Sequence, residues 1–412
     1  MPTTPTSEAV ESVIGGITVP HESAARRPLG RLIHVLYIVD RLYIHGGGEQ
    51  ALIRLVQSLP RNRFRISVVT FDANPTAAKT VREAGADLQV LPMRRVYDWR
   101  GLRTALELRR ILRSGGVDVV HTFFETSNTW GGLIAKLSRV PVLISSRRDM
   151  GILRLGKHHL AYKVVNRLCD GFVAVSDSVR DFCVENEGLD PERIFTAHNG
   201  VDLEGIDAAD GMALLKAALG LADGSPVVAT VANIRRVKGI DILLRTAAVV
   251  REEFPDVRFV IAGNSLEHDH YEELQDMLRR LHLGGNVTFL GRFDDVFSLL
   301  KLSNIFCLLS RSEGFSNAML EAMGAGLPCV VTSVGGTTEA IEDRQNGFLV
   351  SPEQPEAAAQ RILTLLRNPE EARRIGRAAR QTVEKRFTSE IIADRLAGVY
   401  QALLAEREVA TR

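Results

Sequence analysis

The chain has 412 residues, of which 45% are hydrophobic and 25% charged, and its formal net charge is +1. This composition is typical of a globular protein with two domains and argues against a dedicated nucleic-acid binder. Residues 31–200 are more basic than the rest, with 25 lysines and arginines against 17 acids. The four cysteines have apolar neighbours and no CxxC spacing, which favours buried free thiols in a reducing compartment.

The first thirty residues are rich in Thr, Pro, Ser, Ala and Glu. They have no cationic start followed by an apolar core, so the sequence predicts a flexible tail at 1–30 rather than a signal peptide. No apolar run reaches the roughly 18 residues that suggest a membrane span. Together with the cysteine usage, this predicts a cytoplasmic protein.

From residue 31 onward, apolar runs of strand length alternate with amphipathic runs of helical length. The first series predicts strands at 31–40, 64–72, 87–92, 117–123, 141–146, 171–176 and 193–198. The helices between them are predicted near 49–59, 76–85, 99–114, 127–138, 158–169 and 178–187. Continuous apolar strands that alternate with helices are typical of a parallel sheet covered on both faces.

The alternation pauses near 200–225 and then restarts. The second series predicts strands at 226–234, 256–264, 286–291, 304–310, 328–333 and 347–350, and three helices finish the chain. The predicted fold is therefore α/β, with two doubly wound Rossmann-like domains at 31–205 and 206–388 and a last helical segment at 389–412. Ligands of such sheets bind at the carboxyl ends of the strands, so we expect the site in the interdomain cleft.

The segment EGFSNAMLEAMGAG (313–326) carries the sharpest signal. Ser316 fits a helix N-cap, and the unpaired N–H groups from Phe315 to Asn317 would then offer a cradle for a phosphate. Glu321 lies one turn inside the helix, where a carboxylate is costly to bury without partners. Sugar hydroxyls are one set of partners and an arginine is the alternative. Glu313, in the preceding loop, would reach further along the same ligand.

Two loops that follow the first strand of each domain also suit an anion. YIHGGGEQ (43–50) has three glycines, which let the backbone approach a ligand closely, although a tight turn needs the same residues. In the second domain, Arg235, Arg236 and Lys238 follow the strand directly. Three cations at a strand's carboxyl end would neutralise a diphosphate, and the alternative is a solvated basic loop.

Other candidates follow strands of the first domain. His121 comes at the end of the fourth strand, Arg147 and Arg148 come after the fifth, and Asn199 lies in the HNGVD segment that closes the domain. Each is a candidate for the rim of the cleft. The alternatives are a structural role for His121, exposure of the two arginines to solvent, and a simple hinge at HNGVD. Residues 93–113 hold seven arginines against two acids and an apolar stripe, which suits either an anionic membrane or an ordinary surface helix.

Several motifs in order make the chain similar to a known family over residues 31–400. These are the glycine-rich loop before Glu49, NGVD (199–202), Lys238–Gly239, Glu313-x7-Glu321, the Gly335–Gly336 pair with Glu339, and NGFLV (346–350). Taken together, they resemble the retaining glycosyltransferases of family 4, which have the GT-B fold. The resemblance implies a UDP- or GDP-sugar donor and a glycan or lipid-linked acceptor in cell-surface polysaccharide or glycolipid synthesis, with neither a metal nor another cofactor. It also implies that the last helix, at 389–412, crosses back to the first domain.

The resemblance also implies roles for individual residues. Glu321 would bind the donor ribose and Glu313 the transferred sugar. The diphosphate would lie against Lys238 and the backbone of Phe315, Ser316 and Asn317, with the first domain closing over it through Gly46 and Gly47. Many members carry an arginine five positions before the lysine of the KG loop. Many also have a His-x-His motif at the end of the fourth strand, where His121 is the first histidine. Here those positions hold Asn233 and Phe123, so Arg235 or Arg236 would take the arginine's place.

The predicted site therefore has three parts. The catalytic set is Lys238, Arg235, Glu313 and His121. The donor-binding set is Gly46, Gly47, Asn233, Arg236, Phe315, Ser316, Asn317 and Glu321. The acceptor-side set is Arg147, Arg148 and Asn199. Two other functions share the fold: a non-catalytic sugar-nucleotide binder, which the intact Glu313, Lys238 and Glu321 argue against, and a sugar-nucleotide epimerase, which the motif order argues against. We expect the protein in the cytoplasm, peripheral on the inner face of the membrane.

Overall fold

The computed structural model describes residues 13–14, 17–18, 31–43, 46–93, 95–151 and 159–411. Of the predicted tail at 1–30, the described part is one antiparallel pair, β1 (Val13–Ile14) and β2 (Ile17–Thr18). The rest of that prediction lies outside the described residues. So do residues 44–45 of the glycine-rich loop and residue 94 of the basic segment.

The first domain is built on a parallel sheet with the strand order β5-β4-β3-β6-β7-β8-β9. Its central strands are buried at every residue, which explains their continuous apolar sequences. The strands are β3 (Ile33–Val39), β4 (Phe64–Thr70), β5 (Asp87–Val90), β6 (Val119–Phe123), β7 (Val142–Arg147), β8 (Gly171–Ala174) and β9 (Ile194–Thr196).

Helices cover the faces of this sheet, and local sequence sets where several of them begin. The side chain of Asn74 accepts a hydrogen bond from Ala77 N at 2.7 Å, and that of Asp98 accepts one from Gly101 N at 2.8 Å. A π-helical turn (Ser127–Gly131) leads into α4. The helices are α1 (Gly47–Ser58), α2 (Pro75–Glu83), α3 (Trp99–Ser114), α4 (Gly132–Leu137), α5 (His159–Leu168) and α6 (Asp177–Glu187).

The segment where the sequence pattern pauses is helical. It holds α7 (Leu203–Ala208) and α8 (Met212–Ala218), two short helices between the sheets. Asp202 caps α7 by accepting a hydrogen bond from Gly205 N at 2.8 Å. Helices of six or seven residues are too short to show a clear helical period of apolar residues, so the sequence did not predict α7 and α8.

The second domain repeats the architecture on a parallel sheet with the order β12-β11-β10-β13-β14-β15. Its strands are β10 (Val227–Val231), β11 (Arg258–Ala262), β12 (Val287–Gly291), β13 (Ile305–Leu308), β14 (Cys329–Thr332) and β15 (Phe348–Val350). Its helices are α9 (Ile240–Glu253), α10 (His268–Arg280), α11 (Val296–Leu302), α12 (Asn317–Gly324), α13 (Thr337–Ala340), α14 (Pro355–Arg367) and α15 (Pro369–Arg386).

The helix that follows, α16 (Ser389–Thr411), returns to the first domain. Its Leu396 and Tyr400 are buried in the same apolar cluster as Tyr37 of β3. At the junction, the N–H of Val201 donates to Phe387 O at 2.9 Å, and the N–H of Ser389 donates to Val201 O at 3.0 Å. The chain therefore crosses between the domains twice, along two segments that lie side by side.

The predicted fold class, two doubly wound α/β domains, is confirmed by these sheets. All four cysteines are buried and free of disulfides. Within the described ranges, none of the helices combines the length and the apolar content needed to cross a membrane.

Candidate functional site

The start of α12 faces the cleft between the two sheets. Ser316 caps the helix, its hydroxyl accepting a hydrogen bond from Met319 N at 3.3 Å, as the sequence predicts. Among the described residues, the backbone N–H groups of Phe315, Ser316 and Asn317 have no acceptor. The Asn317 side chain crosses the cleft and donates to Gly47 O at 2.8 Å. Unpaired donors at a helix N-terminus form a site for an anion.

Lys238 and Glu313 form an ion pair beside this helix start. Lys238 Nζ lies 2.7 Å from Glu313 Oε1, which also accepts a hydrogen bond from the Ser310 hydroxyl at 2.6 Å. Lys238 ends a 3₁₀ turn, and Gly239 leaves the turn with φ +63°. A Cβ at Gly239 would overlap the carbonyl oxygen of Leu309, so this close approach requires glycine. The predicted KG loop therefore brings the lysine to the first glutamate of the Glu-x7-Glu motif.

Glu321 is 5% exposed and pairs with an arginine of the first domain. Its Oε1 accepts a hydrogen bond from Arg54 Nη2, and Arg54 Nη1 donates to Gly200 O at 3.1 Å. The structure thus provides the arginine partner that was the alternative to sugar hydroxyls. The predicted role of Glu321 at a ribose stays a prediction. Arg54 was missed because it reads as one more polar residue of the amphipathic helix α1.

The two arginines that were predicted in the same loop as Lys238 form ion pairs with glutamates outside the site. Arg235 Nε lies 3.4 Å from Glu267, and Arg236 Nη2 lies 2.6 Å from Glu273. Asn233 accepts a hydrogen bond from Asn264 N at 3.2 Å. Lys238 is therefore the residue of its loop that reaches the start of α12, while both arginines lie towards α10.

On the first domain's side, Arg148 and Asn199 meet at the cleft. Arg148 Nη2 donates to Asn199 Oδ1 at 2.5 Å, and Asn199 Nδ2 donates to Phe315 O at 3.0 Å. The Arg148 guanidinium also lies over the ring of Phe123, 5.4 Å from its centroid. Burial lowers the pKa of Arg148 to about 10, although the negative charges of Glu49 and Asp149 act to raise it. These contacts tie the carboxyl end of β7 to the loop before α12.

Arg147 lies apart from this group, although it is the next residue in sequence. Its guanidinium is buried inside the first domain, with Nε 3.1 Å from Glu187 Oε2 and Nη1 2.6 Å from the Ser145 hydroxyl. Residues along a strand alternate between the two faces of a sheet. Arg147, the last residue of β7, therefore points away from the cleft side that Arg148 occupies.

His121 is buried, and both of its ring nitrogens are used within the protein. Nδ1 lies 2.7 Å from the Tyr400 hydroxyl, and Nε2 lies 2.8 Å from the Ser146 hydroxyl. Tyr400 in turn lies 2.9 Å from the Tyr37 hydroxyl. Burial lowers the pKa of His121 to about 3, so the imidazole is neutral. The network fastens α16 to the first sheet, and the predicted catalytic role of His121 stays a prediction.

Glu339 joins the two domains at a second point. Its carboxylate accepts hydrogen bonds from the N–H groups of Asp177 and Ser178, each at 2.9 Å, and from His198 Nε2 at 2.8 Å. Burial opposes the ionised form, but these hydrogen bonds outweigh it and lower the pKa of Glu339. The sequence marked Glu339 only as part of a motif, because nothing local shows that its partners come from α6.

Within the described residues, no cluster of three or more His, Cys, Asp or Glu side chains is arranged to hold a metal ion. The cations that face the cleft are instead side chains: Lys238, Arg54 and Arg148. What the site offers is positive charge and backbone donors around a cleft, together with two buried carboxylates.

This combination of fold and site is that of a glycosyltransferase, and the sequence comparisons agree. Residues 213–382 match the model of the family "Glycosyl transferases group 1", and residues 45–204 match "Glycosyltransferase Family 4". The chain is 31% identical over 312 residues to N-acetyl-alpha-D-glucosaminyl L-malate synthase of Bacillus anthracis, covering 74% of this chain and 80% of that protein. The chain belongs to the group 1 glycosyltransferases of family 4, and the resemblance seen in its motifs is confirmed.

Other similar proteins extend this picture. One is UDP-Gal:alpha-D-GlcNAc-diphosphoundecaprenol alpha-1,3-galactosyltransferase of Escherichia coli, 25% identical, with 76% of this chain and 82% of that protein covered. Among solved structures, Anabaena HepE in complex with UDP has a TM-score of 0.78 at 22% identity, covering 90% of this chain and all of that chain. WaaG, a glycosyltransferase involved in lipopolysaccharide biosynthesis, has a TM-score of 0.69 at 16% identity, covering 89% and 99%. These structures show the GT-B fold.

Proposed function

We propose that this enzyme transfers a sugar from a UDP- or GDP-sugar to a glycan or lipid-linked acceptor, with retention of anomeric configuration and without a metal ion. The observation that carries the proposal is the start of α12. There, three backbone N–H groups that have no acceptor among the described residues lie between two buried glutamates, and Lys238 contacts the first glutamate at 2.7 Å.

The donor lies along α12 in this proposal. Its diphosphate accepts hydrogen bonds from the N–H groups of Phe315, Ser316 and Asn317, where the helix dipole favours negative charge. Its ribose hydroxyls bind Glu321, and the hydroxyls of the transferred sugar bind Glu313. Support comes from the position of the two carboxylates on either side of the helix start, beside Lys238 and Arg54, and from the solved structure of HepE with UDP.

Catalysis then depends on charge rather than on a pair of carboxylates. The bond from the anomeric carbon to the diphosphate breaks while the acceptor oxygen attacks from the same face, and the acceptor proton passes to the departing diphosphate. Lys238 and the α12 N–H groups stabilise the negative charge that develops on the leaving group, a role that a metal ion fills in other transferases. Preorganised donors of this kind are worth about 10²–10³ in turnover each.

The acceptor side of the proposal rests on relatives and on one surface. The similar E. coli protein is named for a diphosphoundecaprenol acceptor, and a similar Staphylococcus aureus protein for capsular polysaccharide biosynthesis. On α3, the side chains of Trp99, Leu102 and Leu106 are more than 60% exposed and stand among arginines. Such a surface suits the anionic headgroups of the inner face of a membrane, where we place the protein.

The experiment that tests the proposal has two stages. A thermal-shift screen with UDP-, GDP- and ADP-sugars identifies the donor, because a ligand at 100 times its dissociation constant adds about 2.7 kcal/mol of stability. NMR of the product formed from that donor, with and without EDTA, then gives the anomeric configuration and the metal requirement. Retention with full turnover in EDTA is expected. An inverted product, or activity that EDTA abolishes and Mg²⁺ restores, would remove the mechanism proposed here.

A further inference from the structure

Arg148 differs from the other cations of the cleft in its partners. Arg54 pairs with Glu321 and Lys238 pairs with Glu313. Within the described ranges, no carboxylate lies within ion-pair distance of the Arg148 guanidinium, which contacts the amide oxygen of Asn199 and the ring of Phe123. A buried cation is normally paired, because removing its charge from water is costly. Glu49 and Asp149 act on the guanidinium only from beyond ion-pair distance, so an anionic ligand is able to pair with it directly.

Arg148 lines a cavity that belongs to the first domain. The cavity has a volume of about 30 Å³, room for roughly two water molecules. Its walls come from α1, from β6, β8 and the end of β7, from residues 197–200 and from the first turns of α16. Among the described residues of 206–388, none lines it. The cavity is thus distinct from the start of α12 and from Lys238, where the donor diphosphate is placed.

A second polar group in the same wall lacks a partner. Ser389, the first residue of α16, is 5% exposed and lines the cavity. Its hydroxyl oxygen is buried and makes no hydrogen bond within the described part of the chain. Since buried hydroxyls are nearly always bonded, the Ser389 hydroxyl is an unused hydrogen-bonding group in the wall that also contains Arg148. Arg54 and His198 line the cavity as well, so the wall is polar and its two arginines carry positive charge.

We propose that this cavity is a subsite for a small oxyanion of the acceptor, a carboxylate or a phosphate, which Arg148 binds directly. The inference rests on the proposed function, and it narrows the acceptor to compounds that carry negative charge close to the hydroxyl that attacks. Asn199 holds the guanidinium in place and also bonds Phe315 O at 3.0 Å. Binding of the anion is thereby linked to the loop that holds the donor.

The test uses calorimetric titration of the whole protein at constant ionic strength, with inorganic phosphate and malonate as probes. The protein is first saturated with UDP, so that the donor's diphosphate site is filled. We expect at least one probe to bind the UDP-loaded wild type. The change Arg148→Gln should weaken that binding about 10- to 100-fold, the loss expected for a charge-assisted hydrogen bond, while UDP affinity stays within twofold.

Two further variants separate binding from folding. Arg148→Lys keeps the charge and is expected to retain most of the probe affinity. Arg82→Gln removes an exposed arginine of α2 and should change nothing. Within the part of the chain that the structure describes, no carboxylate forms an ion pair with Arg148, so the thermal unfolding of Arg148→Gln should resemble that of the wild type.

Three results would overturn the subsite. They are probe binding that survives Arg148→Gln, probe binding that UDP abolishes in the wild type, and no binding of either probe in any state. The second result would assign Arg148 to the donor diphosphate. If GDP alone binds, it replaces UDP in the titrations. If neither UDP nor GDP binds, the proposed function fails. The titration without UDP then still decides whether Arg148 holds an anion.

Discussion

Arg54 of α1 and Glu321 of α12 form an ion pair across the cleft, and Arg54 also donates to Gly200 O in the junction between the domains. Both side chains are nearly buried, with 11% and 6% of their surfaces exposed. The pair therefore connects three parts of the molecule: the first domain, the second domain and the segment that joins them.

The variant Arg54→Met is expected to lower the free energy of unfolding by about 3 kcal/mol, because it leaves the buried carboxylate without its cation. The double variant Arg54→Met/Glu321→Met should be more stable than Arg54→Met alone, since removing both charges costs less than removing one. Urea unfolding of four proteins measures this: the wild type, Arg54→Met, Glu321→Met and the double variant. If the two single losses simply add in the double variant, the pair has no coupling and the expectation is wrong.

Glu321→Ala is expected to weaken nucleotide binding about 10- to 100-fold, the loss expected for hydrogen bonds between hydroxyls and a carboxylate. Isothermal titration with UDP is the measurement. The matched control is Glu356→Ala, which removes an exposed glutamate of α14. Unchanged UDP affinity in Glu321→Ala would leave the carboxylate as a partner of Arg54 only, and would remove the ribose assignment.

Lys238→Ala is expected to lower kcat about 10²–10³-fold while the free energy of unfolding falls by roughly 1 kcal/mol. The reason is that Glu313 keeps its hydrogen bond from Ser310 when the lysine is removed, at 2.6 Å. Steady-state kinetics with the donor found by thermal shift gives kcat. Lys216→Ala, which breaks an exposed pair with Asp223, serves as the control. Full turnover in Lys238→Ala would contradict the leaving-group role.

His121 predicts a dependence of stability on pH. Its pKa in the folded protein is about 3, below the ordinary value of 6.5, so the unfolded chain binds a proton that the folded chain does not. Above pH 6.5, His121 is neutral in both states and the free energy of unfolding does not depend on it. As the pH falls from 6.5 towards 3, the free energy of unfolding decreases by about 1.4 kcal/mol per pH unit. Replacing it by Gln should flatten the unfolding free energy measured between pH 6 and pH 4. An equal slope in both proteins would mean that other groups cause it.

The basic surface of α3 predicts binding to anionic vesicles. Replacing Arg103, Arg109 and Arg110 by Glu should abolish sedimentation with vesicles that contain phosphatidylglycerol, because each basic residue at such a surface is worth about 1 kcal/mol. The control makes the same change in charge on α15, at the exposed Arg373, Arg377 and Lys385. If the wild type ignores these vesicles, or if both triple variants lose binding equally, α3 is not the membrane surface.

The sequence predicts the parts of this protein that depend on local signals. α3 runs from Trp99 to Ser114, as the pattern indicates, because Asp98 caps it and the apolar spacing is sustained. The start of α12 follows in the same way from Ser316. The exposed apolar residues of α3 were predicted as a stripe, but their exposure could only be known once the buried face of the helix was seen.

Contacts between distant segments could not be predicted from residue types alone. Nothing near Arg54 shows that it meets Glu321, 267 positions later in the chain. Arg147 and Arg148 are identical in type and adjacent, and only the register of β7 sends one into the domain interior and the other to the cleft. One of the two partners of His121, Tyr400, comes from α16, a helix that lies far away in the sequence.

The return of α16 to the first domain also sets an order for the protein's synthesis. The first sheet is translated early, yet Leu396, Tyr400 and Leu403, which complete its apolar core, are translated 363 to 370 residues after β3 begins at Ile33. While the ribosome is still reading the second domain, the nascent first domain leaves Tyr37 and His121 without the hydroxyl of Tyr400. Full burial of that core, and with it closure of the Arg148 cavity, is therefore a late event in the making of this enzyme.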